Sequence, residues 1–395
     1  MAFLFVDEFA FRHPGNPQLT TLIEALLTQE ERLHLLTMRP DWYRQKLPET
    51  VEIYAPPERP DVSLLSRIIP GDRDAAAYAA ALGDVYSELK PRAVVFHGYN
   101  ERMRPLLTYC KKHRITFLVY VRQTRKFEIK DGRLLVDAKK ILVPNNLVTQ
   151  VLKLRCPEVP EDRYMPLPTI VDARRMTTGD KESIRMVIGS SGGARVILSP
   201  LEGAADQRHE TAIRVLKIVR KQVPEAELWF ANLQDYGSGI MDEGAVTKLR
   251  EFAQNKRVSS AVFFVGKEQR RADLFAGADL YLAPASGSAP ADTLKDRLMD
   301  TESLPLLLAM ATGLPAVVAE GTIAEELLLA TGAGAVIPGS DHEEMARATI
   351  KYFQHEQLYK TASKEATKRI IKVHSPEAVA SLLLAILEDC CAAAG

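Results

Sequence analysis

Short runs of β-branched and aromatic residues alternate with longer amphipathic runs along almost the whole chain. That alternation is the strongest constraint on the fold. A short, continuous apolar run suits a strand covered on both faces, and an amphipathic run suits the helix that covers it. Repeated in order, the two predict parallel sheets with crossover helices. In the first half, Ala2–Val6, Arg32–Thr37, Val51–Tyr54, Ala93–His97, Thr116–Val121 and Lys140–Val143 read as strands. Leu19–Leu27, Asp74–Lys90 and the stretch ending at Cys110 read as helices. Pro157, Pro160, Pro166 and Pro168 then leave little room for helix. They lead to an expected linker near Asp172–Ser183. A second alternation opens at Arg195–Ser199 and runs to a helical end, with the last helix at Pro376–Cys390. The reading is α/β, with two doubly wound Rossmann-like domains in series.

At 395 residues the chain is long for one core and suits two domains. Lys plus Arg equals Asp plus Glu at 51 each, so no net charge draws the whole protein to nucleic acid. The first residues, MAFLFVDEF, lack the basic start and long apolar core of a signal peptide. No run approaches the ~20 apolar residues of a membrane span. Cys110, Cys156, Cys390 and Cys391 lack metal-ligand spacing and read as free thiols of a cytoplasmic protein. No metal and no cofactor is expected.

In doubly wound sheets, ligands bind at the carboxyl ends of strands. After the first strand, Gly15 and Asn16 precede a helix whose free N–H groups suit an anion or simply start a turn. His97 ends a buried strand, where it can serve as acid, base or hydrogen-bond donor, or merely cap the turn. Arg208 stands at another helix start, either as a diphosphate clamp or as a solvated side chain. The glycines 189, 192 and 193 are followed by a strand where a dinucleotide fingerprint needs a helix. Asp300, Glu302, Ser303 and Leu304 open an apolar helix that ends at Gly313. Their polar groups suit either capping or hydrogen bonds to sugar and ribose hydroxyls. Residues 286–298 read as a polar insertion. Basic clusters at Lys111–Arg114 and Arg122–Lys126 read as a solvated face, with peripheral membrane contact as the other reading.

The stretch Ala309–Ala319, AMATGLPAVVA, resembles the retaining glycosyltransferases of family 4. Those enzymes carry a Glu, seven residues and a second Glu, leading into Ala-Met-Ala-x-Gly-x-Pro-Val-Val. Arg271–Ser286, Gln207–Asn232, Ala138–Asp172, HPGNPQLTTLIEALL and VVFHGYN are similar to further segments of that family, in the same order. The resemblance implies a GT-B fold, in which two Rossmann-like domains face across a cleft. The domains would be an acceptor-side domain over 1–175 and a donor-side domain over 176–375, with 376–395 crossing back to the first.

The resemblance also implies transfer of a hexosyl group from a nucleoside diphosphate sugar to a glycan, lipid or protein acceptor. Asp300 and His97 would be catalytic, and Gly15, Asn16, Arg208, Glu302, Ser303 and Leu304 would bind the donor. Several functional positions depart from the family pattern. Asp300 replaces its first Glu and Leu308 its second, which holds ribose. Gln207 replaces a Lys that grips the diphosphate. Asn16 replaces a glycine, and Arg122–Gln123–Thr124 stands where a His is frequent. The alternative is therefore a catalytically inactive GT-B protein that binds glycan, partners a transferase or serves a structural role.

Overall fold

The computed structural model describes residues 2–7, 15–29, 32–56, 72–122, 129–201, 207–233, 243–266, 269–285, 304–339 and 341–392. The chain divides into two compact units, Met1–Ile170 with Pro376–Gly395, and Val171–Ser375.

The first unit holds β1 (Ala2–Asp7), β2 (Arg32–Leu36), β3 (Glu52–Tyr54), β4 (Ala93–His97), β5 (Phe117–Tyr120), β6 (Lys140–Val143) and β7 (Tyr164–Pro166). They form one parallel sheet in the order β3-β2-β1-β4-β5-β6-β7. The continuous apolar runs are explained by burial on both faces. Phe3 and Phe5 point to one core, with Leu19, Leu22 and the Pro376–Ala392 helix residues Leu383 and Leu387. Leu4 and Val6 point to the other, with Tyr78, Leu82 and Leu106. The Pro376–Ala392 helix packs on the Pro17–Leu27 helix of this unit. β7 lies inside the proline-rich segment, where the sequence shows no strand. It is an edge strand with Pro166 at its end, a place where a missing N–H interrupts no ladder.

The second unit holds β8 (Arg195–Pro200), β9 (Ala226–Ala231), β10 (Val262–Val265), β11 (Leu280–Ala283), β12 (Ala316–Ala319) and β13 (Gly334–Ile337). Their parallel order is β10-β9-β8-β11-β12-β13. Leu198, Trp229 and Val318 face one core, and Ile197, Phe230 and Val317 the other. The segment expected as a linker is largely helical. Asp172 and Asp180 accept backbone N–H groups from Arg174 and Ser183 and so cap the helices Ala173–Met176 and Lys181–Ile188.

A buried ionic clasp ties the second of these helices to the sheet. Arg185 donates to Asp279 (2.7 Å), Gly277 O (2.9 Å) and Ala194 O (3.0 Å). Asp279 also accepts from Val196 N–H and Lys181. The clasp sits where β8 and β11 begin, at the end of the sheet opposite to the strands' carboxyl ends.

One helical stretch, Glu356–Ala392, has the length and hydropathy of a membrane span, contrary to the sequence reading. Half of its apolar window is buried inside the protein, as in a core helix.

Candidate functional site

Each sheet reverses its winding at one point: between β1 and β4 in the first unit, and between β8 and β11 in the second. The crevice at such a switch point is where doubly wound sheets bind ligands. Asn16 follows β1 and His97 ends β4, so both stand at the first switch point. Arg208 follows β8, and Leu304 opens the helix after β11, so these two stand at the second.

At the first switch point the chain builds a buried polar centre. Asn16 is fully buried and caps the Pro17–Leu27 helix, its Oδ1 accepting N–H groups of Gln18 (3.1 Å) and Leu19 (3.3 Å). That fixes the amide orientation, and Nδ2 faces His97 Nδ1 at 3.1 Å. An amide NH₂ only donates, so Nδ1 accepts and the ring proton belongs on Nε2. Burial, and then the nearby charge of Arg122, push the His97 pKa well below its ordinary value. The ring is therefore neutral, as an accepting Nδ1 requires. In this tautomer His97 is a hydrogen-bond donor at Nε2 toward an oxygen. Gln18, Leu22, Tyr120, Leu167, Ile170 and Val379 line a small cavity beside the ring.

Tyr43 and Asp7 hold Asn16 from the other side. Tyr43 Oη donates to Asp7 Oδ2 (2.5 Å) and accepts the Asn16 N–H (3.1 Å). Burial and the Asp7 charge push the phenol pKa far up, so it keeps its proton. Tyr78 donates to the carbonyls of Leu36 (2.8 Å) and Asp7 (3.1 Å). Gly15 is needed for packing. A Cβ there would lie 2.0 Å from Trp42 Cε3, and the Trp42 ring meets Tyr43 edge-on at 4.8 Å. Sequence reading missed Asp7, Tyr43 and Trp42. The available signal was Pro40, which starts the short helix Pro40–Arg44 from its first turn.

At the second switch point, Arg208 lies partly exposed in the first turn of the Gln207–Val219 helix. Its neighbour His209 turns inward, with its ring 5.8 Å from Phe230. Leu304 begins the Leu304–Ala311 helix, and all eight of that helix's residues are buried, Leu308 among them. Asp300, Glu302, Ser303 and the 286–298 insertion lie outside the described residues. The glycine cluster follows the Lys181–Ile188 helix. Gly189 ends the Lys181–Ile188 helix at φ +79°, and Ser190 and Ser191 bind the Glu227 carboxylate. Among the described residues, no group of three His, Cys, Asp or Glu side chains is placed to hold a metal.

Two Rossmann-like domains in one chain, each wound about its own switch point, define the GT-B architecture. Residues 180–369 match the family model of the glycosyl transferases group 1. The match lies within the second unit and covers less than half of the chain. No curated protein matches the sequence significantly. Among solved structures, the chain is similar to a glycosyltransferase from Rickettsia africae, with a TM-score of 0.74, 12% identity and 98% of each chain covered. It is similar to Anabaena HepE in complex with UDP, with a TM-score of 0.68, 15% identity and coverage of 98% of this chain and 100% of that one. It is also similar to the UDP-GlcNAc 2-epimerase of Neisseria meningitidis bound to UDP-GlcNAc, with a TM-score of 0.60, 13% identity and coverage of 98% and 100%. These likenesses establish the fold. Transferases and an epimerase share it, so the fold alone does not fix the chemistry.

Proposed function

We propose that the protein is a retaining hexosyltransferase that uses a nucleoside diphosphate sugar, related to family 4. The observation that carries this reading is the group 1 match over residues 180–369, the unit whose switch point bears Arg208. In the reaction, the bond between the anomeric carbon and the diphosphate breaks. A bond to an acceptor hydroxyl forms, the acceptor proton is released, and the nucleoside diphosphate leaves. Arg208 and the first turn of its helix would stabilise the diphosphate charge. Asp300 would face the transferred sugar, and Glu302, Ser303 and Leu304 would line the donor side. Gly15 and Asn16 would serve in donor binding, and His97 Nε2–H would hydrogen-bond an acceptor hydroxyl. The acceptor would be a glycan, lipid or protein, and the protein cytoplasmic, with peripheral membrane contact.

A second reading is a catalytically silent GT-B protein. It is favoured by the full burial of the helix carrying Leu308, where the family pattern places a ribose-holding Glu. Calorimetric titration with uridine and guanosine diphosphate sugars separates the two. Saturable binding lost in Arg208→Ala supports the transferase, and the absence of binding at millimolar donor refutes it. Binding without transfer to any acceptor or to water supports the silent protein.

A further inference from the structure

At the start of β5 and β6, the end of the first sheet away from His97, lies a pocket of about 250 Å³. Lys111, Arg114, Lys139 and Arg163 line it, with Asp137 as its one carboxylate. The chain as a whole has zero net charge, whereas this lining carries a net +3. Helix dipoles account for only part of that excess. Two helices end here, Arg104–Lys112 and Ile129–Leu135, and each C-terminus carries about −0.5 of an elementary charge. Roughly two positive charges remain uncompensated.

Two of the cations are held in place. Lys111 pairs with Asp137 at 2.7 Å, and Arg163 Nη1 donates to the carbonyls of Ala138 (3.1 Å) and Lys139 (3.3 Å). The side chains of Arg114 and Lys139 have no hydrogen bond or ion pair among the described residues. Arg114 has a further peculiarity. The Arg104–Lys112 helix ends in a Schellman motif, with Ile115 N–H bonded to Cys110 O (2.9 Å) and Arg114 N–H to Lys111 O (3.2 Å). Arg114 fills the left-handed position of that motif at φ +55°, where glycine fits without strain. A guanidinium thus stands at the pocket where the backbone favours glycine.

We propose that this pocket binds a small, soluble phosphate-bearing ligand. Arg163 is oriented by the carbonyls it holds, and Arg114 and Lys139 supply the unpaired positive charges a phosphoryl group needs. The site is separate from both switch points and is independent of the proposed transferase activity.

Arg114→Gly gives a clean test because the substitution suits the backbone while removing the charge. Arg257 occupies the same left-handed position (φ +60°) after the Glu243–Asn255 helix of the second unit and serves as the control. Inorganic phosphate and pyrophosphate are titrated into the full chain and into Arg114→Gly, Lys139→Gln and Arg257→Gly. The expected result is saturable binding weakened about tenfold in each pocket variant and unchanged in Arg257→Gly, with all three variants folded. A donor site that also takes pyrophosphate would be indifferent to the pocket variants. Binding equal in all four proteins, or no binding of either anion, overturns the proposal. So does sedimentation with phosphatidylglycerol vesicles that depends on Arg114 in a protein that binds neither anion.

Discussion

Asn16 performs two tasks at once, and they can be separated by substitution. Asn16→Ala removes a helix cap that accepts two N–H groups, worth about 1 kcal/mol. It also leaves the buried His97 Nδ1 without the amide that faces it, worth about 1–3 kcal/mol. The first unit should lose roughly 2–4 kcal/mol. Asn16→Asp keeps the capping oxygen and places a carboxylate opposite Nδ1. It should therefore preserve most of the cap while moving the ring proton from Nε2 to Nδ1. The protein has two tryptophans, Trp42 in the first unit and Trp229 in the second. A Trp229→Phe background lets Trp42 fluorescence report the first unit's urea transition alone. Long-range ¹⁵N–¹H spectra of histidine-labelled protein, with His97→Gln to assign the signal, read the tautomer. A wild-type Nδ1 that already carries the proton, or an Asn16→Asp spectrum identical to wild type, would refute the reasoning.

Two further outcomes follow from buried charges. The folded-state pKa of His97 lies below its unfolded value near 6.5, so the unfolded chain binds the proton first. The first unit should lose about 1.4 kcal/mol of stability per pH unit as pH falls below about 6.5. A urea series across pH in His97→Gln should lack that slope. In the second unit, Asp279→Ala strands the buried Arg185 guanidinium and should cost about 3–5 kcal/mol, measured by Trp229 in a Trp42→Phe background. Arg185→Met with Asp279→Leu should recover part of that loss, because the pair's desolvation cost disappears with it.

The fold was legible because strands buried on both faces leave a trace that no neighbour can disguise. Phe3 to Val6 and Val196 to Leu198 are apolar at every position, and each is sandwiched between two cores. Element ends were less legible. Asp172 and Asp180 are good caps with a short helix behind each, yet the nearby prolines and polar residues suggest a linker. The candidate site was legible only where a residue's place follows from strand order. His97 and Asn16 were found because they end β4 and follow β1. Tyr43 and Asp7 were missed because their role exists only in their mutual contact, across 36 positions of sequence. Periodicity carries no record of a tyrosine that donates to a distant carboxylate.

The Ala309–Ala319 stretch shows why packing and chemistry can part company within one motif. Gly313 is small because the Glu356–Arg369 helix packs closely at the end of this one. A Cβ on Gly313 would lie 2.6 Å from Ser363 Oγ, and its φ of +76° also favours glycine. These constraints belong to the fold and hold whether or not a donor binds. Position 308 is under a different constraint. In a helix buried on every side, an ionised Glu there needs a partner, and a ligand hydroxyl can be that partner. Leu308 instead contributes the roughly 1.5–3 kcal/mol of a buried leucine to the core. Restoring the carboxylate is then informative in both directions. If donor binding survives through Arg208, Leu308→Glu should tighten it while lowering the second unit's stability. If the site takes no donor, the substitution should destabilise with no gain in affinity. Paired urea and calorimetric titrations of that one variant distinguish a reduced donor site from an absent one.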